Sequence, residues 1–574
     1  MSDQHKKSAS GTYGHSVIKT PTLDALAASG TLFTQAYTPA PVCAPARAAM
    51  QTGMYPYANG AIYHKAPKIN EKGKEIKVGY GEFRQTGYHE HIMTMAQMFK
   101  SKGYITAAPG KMHVHGELQK QIDPLYPEGN DMGYDETSVR YYTNFPGNHY
   151  EDEVGTDTYH RYAQKGGYKK FGGTQDLNWD LKPSLVKKDE ENFDMVVANK
   201  AIQFLNERGQ DKQNFFLHVG FEKPHLPLTT LQKYYDMYDS DDFELPETVN
   251  DWYQKGRYPW IQDWVHNAIS NKDKDMAKRI MAAYADCITE MDDMFGSIIS
   301  TLKMNNLYEN TIIVYSTDHG EHMFEHGLRG KHNMYDAAIN IPFIISYPKA
   351  LPKGKVNNSL VSLIDVMPTL AELIGAPVSD EVQGKSLLNT IQTGKGLKDR
   401  VVFTEYRQGG YKAFSDADFL PSRMMRKGDY KFVYTHGIID QLYNVKEDPN
   451  ELTNLALEPK YYQLAKQYAF ETIVDWRFEK YSPMELRYDG KLLTWTGISQ
   501  AKSYNLFYSE SSDPTKAKLI ELGIRDTQFK TSKQGYYWVL ADFNLTRKTK
   551  RLGDIPVWLA NHTYRLPISD VVKL

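Results

Sequence analysis

Short apolar runs alternate with helical patterns over about the first 380 residues of the chain. Each apolar run is only a few residues long, which suits a buried strand better than a helix. Strands that alternate with helices predict an α/β domain built around a mostly parallel sheet. The clearest strand-like runs are Ile312–Tyr315, Phe215–Val219 and Pro342–Ser346, and helical periods recur over Met93–Lys100, Met276–Leu302 and Val361–Ile374.

Polar residues follow two of these strand-like runs closely. Asp318 and His319 come after the first run, and Lys223 and His225 come after the second. Ligands of such sheets bind beyond the carboxyl ends of the strands. We therefore expect these side chains to lie at a functional site.

The pattern changes twice farther along the chain. Tyr430–Tyr434 is strand-like and Tyr461–Phe478 has a helical period, which predicts a smaller α+β subdomain over residues 381–480. After that the strands become short and alternate with period two, as in Leu492–Thr496. This last segment resembles a fibronectin type III-like β-sandwich. The predicted domains are therefore 1–380, 381–480 and 481–574.

Charge and composition exclude several classes of protein. The 574 residues contain 68 Lys plus Arg and 70 Asp plus Glu, a formal net charge of -2, which argues against nucleic-acid binding through bulk positive charge. No apolar run approaches the roughly 20 residues of a membrane span. The two cysteines, Cys43 and Cys287, exclude a disulfide framework as the source of stability. Cys287 falls in a helical pattern and is expected in the core.

The sharpest chemical feature is Cys43-Ala44-Pro45-Ala46-Arg47, followed by Thr52-Gly53. With Pro and Arg each near 5% of residues, two cysteines give about a 0.5% chance of one Cys-x-Pro-x-Arg match. The plainer interpretation is a buried cysteine before a helix that carries Pro45 in its first turn. The context of the motif favours a chemical role.

Five ordered segments resemble the type I sulfatases of the alkaline phosphatase superfamily, and the resemblance covers about residues 1–475. In that family the cysteine of Cys-x-Pro-x-Arg is converted to formylglycine. The resemblance also implies an alkaline-phosphatase-like fold with helices flanking the central sheet. The five segments are Thr20–Pro56, Gly110–His113, Lys223–Pro227, Thr317–His332 and Leu442–Ala456.

The resemblance implies a metal site formed by Asp3, Gln4, Cys43, Asp318 and His319. Carboxylate and amide oxygens suit Ca²⁺, which is the expected cation. His319 stands where the family more commonly has asparagine. Because imidazole also suits transition metals, another divalent metal stays open.

The resemblance further implies cleavage of a sulfate ester in two steps. A hydroxyl of the hydrated formylglycine at Cys43 attacks sulfur and the alcohol leaves. The second hydroxyl then loses its proton, and the aldehyde re-forms as sulfate is expelled. Arg47 is expected to hold the formylglycine, and Lys111 and Lys331 are expected to bind sulfate oxygens as point charges.

Two histidines are expected to handle protons. His113 deprotonates or orients the second hydroxyl, and it is preferred over its neighbour His115. His225 protonates the leaving alcohol, since imidazole titrates near working pH.

The expected substrate is a sulfated glycan. The Lys-Pro-His-Leu-Pro motif at Lys223 and the Asp-His pair most resemble sulfatases of the iduronate-2-sulfatase type, which act on sulfated uronic-acid polysaccharides. An algal polysaccharide such as ulvan and a glycosaminoglycan both fit. Two alternatives stay open: a phosphonate or phosphate ester hydrolase on the same scaffold, and a catalytically inactive glycan-binding protein.

The resemblance also bears on partners and location. A formylglycine-generating or anaerobic sulfatase-maturating enzyme is the expected partner for Cys43. Family members usually open with an apolar strand before the first metal-binding acid, whereas Asp3 is almost the first residue here. We therefore expect a strand and a secretion signal upstream of Met1. The expected location is periplasmic or secreted, with the cytoplasm left open.

Overall fold

The structure, a computed structural model, divides the chain into two compact units. The first comprises Met1–Trp252 and Ile261–Asp416, and the second comprises Tyr253–Trp260 and Ala417–Leu574. The described residues are 1–62, 65–66, 84–85, 88–89, 91–113, 134–135, 184–186, 192–226, 228–249, 274–406, 422–435, 440–473, 486–495, 503–510, 518–542 and 572–573.

The first unit mixes helices and strands. In chain order they are α1 (Pro21–Ser29), β1 (Thr31–Tyr37), α2 (Cys43–Thr52), α3 (Pro56–Asn59), β2 (Lys65–Ala66), β3 (Arg84–Gln85), α4 (Met95–Ser101), β4 (Ile105–Ala107), β5 (Ser184–Val186), α5 (Phe193–Asp211), β6 (Phe215–Leu217), β7 (Thr229–Leu231), α6 (Lys274–Met304), β8 (Ile313–Ser316), α7 (Asp336–Ile339), β9 (Phe343–Ser346), β10 (Lys355–Ser362), α8 (Val366–Ile374), α9 (Leu388–Thr393) and β11 (Val401–Tyr406). Among the described helices, none has the length and apolar character that crossing a membrane requires.

A sheet with the strand order β10-β1-β9-β8 forms the centre of the first unit. β1 runs parallel to β10, whereas β9 runs antiparallel to both β1 and β8. Beyond β8, Ser2 bridges Thr317 in the parallel sense, and Met1 accepts a hydrogen bond from the N–H of Phe221. β4 and β6 pair in parallel, and Phe221 follows β6 by four residues. The opening residues therefore lie between the ends of two strands.

Alternate side chains of the central strands pack into two apolar cores. Phe33, Phe343 and Ile345 join one core with residues of α4, α8 and α9. Leu32 and Ile344 join the other core with residues of α1, α5 and α6. Because successive strand residues point to opposite faces, helices cover both faces of the sheet. This arrangement confirms the predicted α/β architecture with flanking helices.

The second unit is mainly β-structure. Its elements are β12 (Ser422–Lys427), β13 (Tyr430–Thr435), β14 (Gln441–Asn444), α10 (Tyr462–Ile473), β15 (Leu486–Tyr488), β16 (Leu492–Trp495), β17 (Ser503–Ser509), β18 (Lys518–Ile524), β19 (Gln528–Lys530), β20 (Tyr536–Asp542) and β21 (Val572–Lys573).

Three sheets organise the second unit. β13 lies between β12 and β14, and α10 packs against it. Farther along, the sheets β15-β16-β19 and β18-β17-β20-β21 share one apolar core that contains Trp495, Leu506 and Tyr537. Two sheets around one core form the expected sandwich. The boundaries 1–380, 381–480 and 481–574 stay a prediction.

Candidate active site

Cys43 lies at the start of α2, a helix whose ten residues are all buried. Pro45 occupies the first turn, where its missing N–H costs no helical hydrogen bond. Asp318 lies two residues beyond the end of β8, and Asp3 follows the residue that bridges Thr317. The carboxyl ends of the strands and the start of α2 thus bring one thiol and two carboxylates together, as the sequence predicts.

Four buried side chains meet within a small space. The Sγ of Cys43 lies 3.1 Å from the Nε2 of His319 and 3.8 Å from the Oδ1 of Asp3. The same Nε2 lies 3.6 Å from the Oδ1 of Asp318 and 3.9 Å from that of Asp3. One ligand atom from each of the four residues lies within 4.8 Å of the other three. The structure therefore assembles four of the five predicted metal ligands.

Arg47 binds the two carboxylates from the opposite side. Its Nε donates to the Oδ2 of Asp318 at 2.8 Å, and its Nη2 donates to the Oδ2 of Asp3 at 3.0 Å. The Nζ of Lys111 lies 2.9 Å from the same Asp3 oxygen. Burial lowers the pKa of Arg47, but the two carboxylates outweigh it and raise that pKa. The paired Oδ2 atoms leave both Oδ1 atoms directed towards Cys43 and His319.

A pair of glycines lets the Lys111 segment approach its neighbour. Gly110 has φ of 98° and bridges Gly220 in the parallel sense. A Cβ on Gly110 would lie 2.2 Å from the carbonyl oxygen of Gly220, and a Cβ on Gly220 would lie 2.3 Å from that of Lys111. Only residues without a side chain fit this approach, which places Lys111 beside Asp3.

Lys331 and Gln4 meet on the thiol side of the site. The Nζ of Lys331 donates to the Oε1 of Gln4 at 2.8 Å and lies 3.2 Å from the Sγ of Cys43. The backbone N–H of Gln4 donates to the Oδ1 of Asp318 at 3.2 Å. Gln4, the fifth predicted metal ligand, therefore directs its amide oxygen into the same site.

His225 reaches the edge of the cluster. Its Nε2 lies 4.0 Å from the Oδ1 of Asp3, and its Nδ1 lies 2.6 Å from the carbonyl oxygen of Leu226. Burial, Lys331 and Lys111, in that order, hold the pKa of His225 well below its usual range.

His113 is buried two residues beyond Lys111, with φ of 56°. Its neighbour His115 and also Pro227 lie outside the described residues. The preference for His113 over His115 therefore stays a prediction.

Glu321 is a buried residue of the site to which the sequence assigned no role. One carboxylate oxygen accepts a hydrogen bond from the Nε2 of Gln4, and the other accepts the N–H groups of Met323 and Gly330. Because a carboxylate only accepts, the Nε2 of Gln4 must face Glu321, and its Oε1 must face Lys331. The sequence signal was present, since Glu321 belongs to the segment that begins at Thr317.

A second buried network holds the turn that carries His225. The carboxylate of Asp194 accepts the N–H groups of Glu222 and Lys223 at 2.7 and 2.8 Å. The Nζ of Lys223 lies 3.5 Å from the Oε2 of Glu290 on α6. Asp194 and Glu290 stand in helical patterns far from any motif, so the sequence held no local signal for them.

The fold and the site combine a thiol at a helix start with paired carboxylates and several fixed cations. The family model "Sulfatase" matches residues 1–376, and the model "N-sulphoglucosamine sulphohydrolase, C-terminal" matches residues 324–475. The chain belongs to the sulfatase family of the alkaline phosphatase superfamily. The prediction of a sulfuric ester hydrolase is confirmed.

Relatives agree with this assignment, and a solved structure shares the fold. A sulfatase of Formosa agariphila is 29% identical over 450 residues, covering 76% of this chain and 78% of that protein. An ulvan-active sulfatase of the same organism is 26% identical over 481 residues, covering 81% and 78%. A phosphonate monoester hydrolase from Silicibacter pomeroyi has a similar fold, with a TM-score of 0.63 at 19% identity, covering 82% and 93%.

Proposed function

We propose that this protein hydrolyses sulfate esters of a sulfated polysaccharide or oligosaccharide, with a formylglycine made from Cys43 as the nucleophile. The observation that carries the proposal is the position of Cys43 between His319, Asp3 and Lys331. Burial, reinforced by Asp3, raises the pKa of the Cys43 thiol to about 12. A neutral thiol is a weak nucleophile, whereas a hydrated formylglycine supplies a hydroxyl group and can expel sulfate afterwards.

The side chains at the site fit a divalent cation. Arg47 and Lys111 bind the Oδ2 atoms, so the Oδ1 atoms of Asp3 and Asp318 face the thiol side together with the Oε1 of Gln4. The Oδ1 of Asp318 accepts the N–H of Gln4, and the Oε1 of Gln4 accepts from Lys331, and each oxygen has a second lone pair for a cation. Three oxygens of this kind suit Ca²⁺, and it would stabilise the negative charge that develops during ester cleavage. The Nε2 of His319 is the fourth donor. Because imidazole also binds transition metals, a divalent metal other than Ca²⁺ also fits the site.

The fixed cations give the site its preference for an anion. Arg47 and Lys111 contact the carboxylates of Asp3, Asp318 and Glu222, whereas the ammonium of Lys331 contacts the amide oxygen of Gln4 and the sulfur of Cys43. Lys331 lies beside the nucleophile position and is the cation best placed to bind a sulfate oxygen. Lys111 is fully paired with Asp3 and Glu222, so its main role is to fix the Asp3 carboxylate.

His225 is placed to protonate the leaving alcohol. The Nδ1–H of His225 donates a hydrogen bond to the carbonyl oxygen of Leu226, so Nε2 faces the site. Lys331 and Lys111 oppose a second proton on this ring. A bound sulfate would offset the two lysines but not the burial of the ring, so it would return the pKa of His225 only part of the way towards its ordinary value.

The glycan part of the proposal rests on relatives. The similar ulvan-active sulfatase acts, by its name, on an algal polysaccharide. The sandwich in the second unit is an architecture shared with many cell-surface domains. We therefore propose a sulfated carbohydrate as substrate, with a sulfatase-maturating enzyme as the partner that modifies Cys43.

The proposal predicts a defined mass change and a defined activity. After expression with a formylglycine-generating enzyme, the peptide that contains Cys43 should lose about 18 Da, the difference between a thiol and an aldehyde. The converted chain should hydrolyse an aryl sulfate, and Cys43→Ala from the same cells should not. An unmodified peptide together with equal activity of both proteins would contradict the proposal.

A phosphonate or phosphate ester hydrolase is the second candidate function. The imidazole of His319 favours it, because a nitrogen ligand suits transition metals better than Ca²⁺. The assay above therefore includes an aryl phosphonate beside the aryl sulfate, each with Ca²⁺ and with Mn²⁺. A higher kcat/KM for the phosphonate would select the second candidate.

Glu321→Gln is expected to weaken Ca²⁺ binding to the converted chain by about 10- to 100-fold, as the loss of a partner that orients a ligand typically does. Glutamine has one oxygen, so it cannot accept from both Gln4 and the N–H groups of Met323 and Gly330. Titration calorimetry measures the change. Glu325→Gln is the matched control, because Glu325 pairs with Lys6 at 2.6 Å. Equal losses in both variants would remove the proposed role of Glu321.

A further inference from the structure

We propose that the unconverted chain, with Cys43 still a thiol, binds Zn²⁺ at the site formed by Asp3, Cys43, Asp318 and His319. The inference concerns the same site as the proposed function and rests on it for the conversion of Cys43. It assigns that site a different ion before conversion. Conversion would replace the sulfur ligand with oxygen. The metal preference of the site would then change from zinc to a cation that favours oxygen ligands.

The donor set carries this inference. One sulfur, one imidazole nitrogen and two carboxylate oxygens make four donors of the types that hold Zn²⁺ in proteins. Thiolate and imidazole favour zinc over Ca²⁺, which prefers six to eight oxygen ligands. All four side chains are buried, so their orientations are fixed by packing.

The distances also fit a four-coordinate ion. Typical zinc bonds of about 2.0–2.3 Å place ligand atoms roughly 3.3–3.8 Å apart at the corners of a tetrahedron. The four measured separations among Sγ, Nε2 and the two Oδ1 atoms are 3.1, 3.6, 3.8 and 3.9 Å. These four values lie within a few tenths of an ångström of that range, and one ligand atom from each residue lies within 4.8 Å of the others.

The surrounding charges support a metal-bound thiolate. Arg47 and Lys111 hold the far oxygens of the carboxylates, and the ammonium of Lys331 lies 3.2 Å from the Sγ of Cys43. On binding, the sulfur forms a bond to zinc and its proton leaves to solvent. The ammonium of Lys331 then faces a negative sulfur, in the place where a substrate sulfate would supply negative charge to the converted enzyme.

The test uses the full chain expressed without a maturating enzyme, with Zn²⁺ and Co²⁺ as the only probes. One equivalent of Zn²⁺ should bind in competition with a chromophoric chelator. Co²⁺ should give the intense near-ultraviolet absorption of a cobalt–thiolate bond. Cys43→Ser should lose that absorption and bind Zn²⁺ more than about tenfold less tightly, since loss of a ligand costs at least as much as loss of an orienting partner.

Cys287 supplies a matched control within the same chain. Its thiol lies in α6, 3.8 Å from the carbonyl oxygen of Thr229. Cys287→Ala should therefore keep both the cobalt spectrum and the zinc affinity. Cobalt binding without thiolate absorption in the unaltered chain, or equal zinc affinity in Cys43→Ser, would overturn the inference. Neither result would affect aryl sulfate hydrolysis by the converted chain, so the two proposals can fail separately.

Discussion

Arg47→Ala is expected to lower kcat/KM for an aryl sulfate by about 10³-fold and also to destabilise the fold. Removing one preorganised charged donor from an active site commonly costs 10²- to 10³-fold. Here the same guanidinium holds both Asp3 and Asp318. Breaking a buried ion pair by removing one partner costs about 3–5 kcal/mol. Steady-state kinetics and denaturant unfolding measure the two effects.

Arg47→Lys separates the two losses. It retains the charge but has one nitrogen, so it cannot bind Asp3, Asp318 and the carbonyl of Lys111 at once. We expect it to recover part of the stability and little of the activity. Near-normal activity in the alanine variant would exclude the site as described.

Lys331→Ala is expected to lower kcat/KM by about 10²- to 10³-fold with a change in unfolding free energy below about 1 kcal/mol. Lys331 is only partly buried, and its contacts in the site are the amide oxygen of Gln4 and the sulfur of Cys43. Its loss therefore leaves no carboxylate unpaired. The pair of variants distinguishes a residue that supports the fold from one that acts mainly on the substrate.

Lys349→Ala is the control for the change of net charge. Lys349 donates to the side chain of Asn310 on the exposed surface, away from the site. We expect kinetics unchanged within twofold. If Lys331→Ala also behaved in this way, Lys331 would have no part in binding the sulfate.

Most of the candidate site could be predicted because its residues stand in short motifs with fixed spacing. Cys43 and Arg47 are one helical turn apart, and Asp318 and His319 closely follow a strand. Such local patterns survive in a single sequence. The contact of Gln4 with Asp318 could not be derived from spacing, since 314 residues separate the two. Only the family resemblance assigned Asp3, Gln4 and Asp318 to one site.

The buried carboxylates that hold the turn at Lys223 could not be predicted from the sequence for a different reason. Asp194 and Glu290 act through tertiary contacts with the turn at Lys223, and no periodic or motif signal marks such contacts. The burial of Arg47 was also unforeseen: the sequence suggested a group that holds the nucleophile, whereas the structure pairs it with two carboxylates.

One fold prediction was wrong in its detail. The apolar period over Val361–Ile374 indicated a single helix, but β10 extends to Ser362, and α8 begins at Val366. The intervening turn carries a capping box in which the side chains of Ser362 and Asp365 bond to each other's backbone N–H groups. Fully buried strands and helices have similar apolar runs, so the boundary is set by the cap and not by hydrophobicity.

The two carboxylate oxygens of Glu321 connect the proposed cation site with the segment that carries Lys331. Its carboxylate joins the amide of Gln4 to the N–H of Gly330, the residue before Lys331. If this connection carries a coupling free energy, a sulfate ester bound by Lys331 raises the affinity for the cation by a certain factor. The cation then raises the affinity for the ester by the same factor. Scarcity of metal would then appear as a raised KM as well as a lowered kcat.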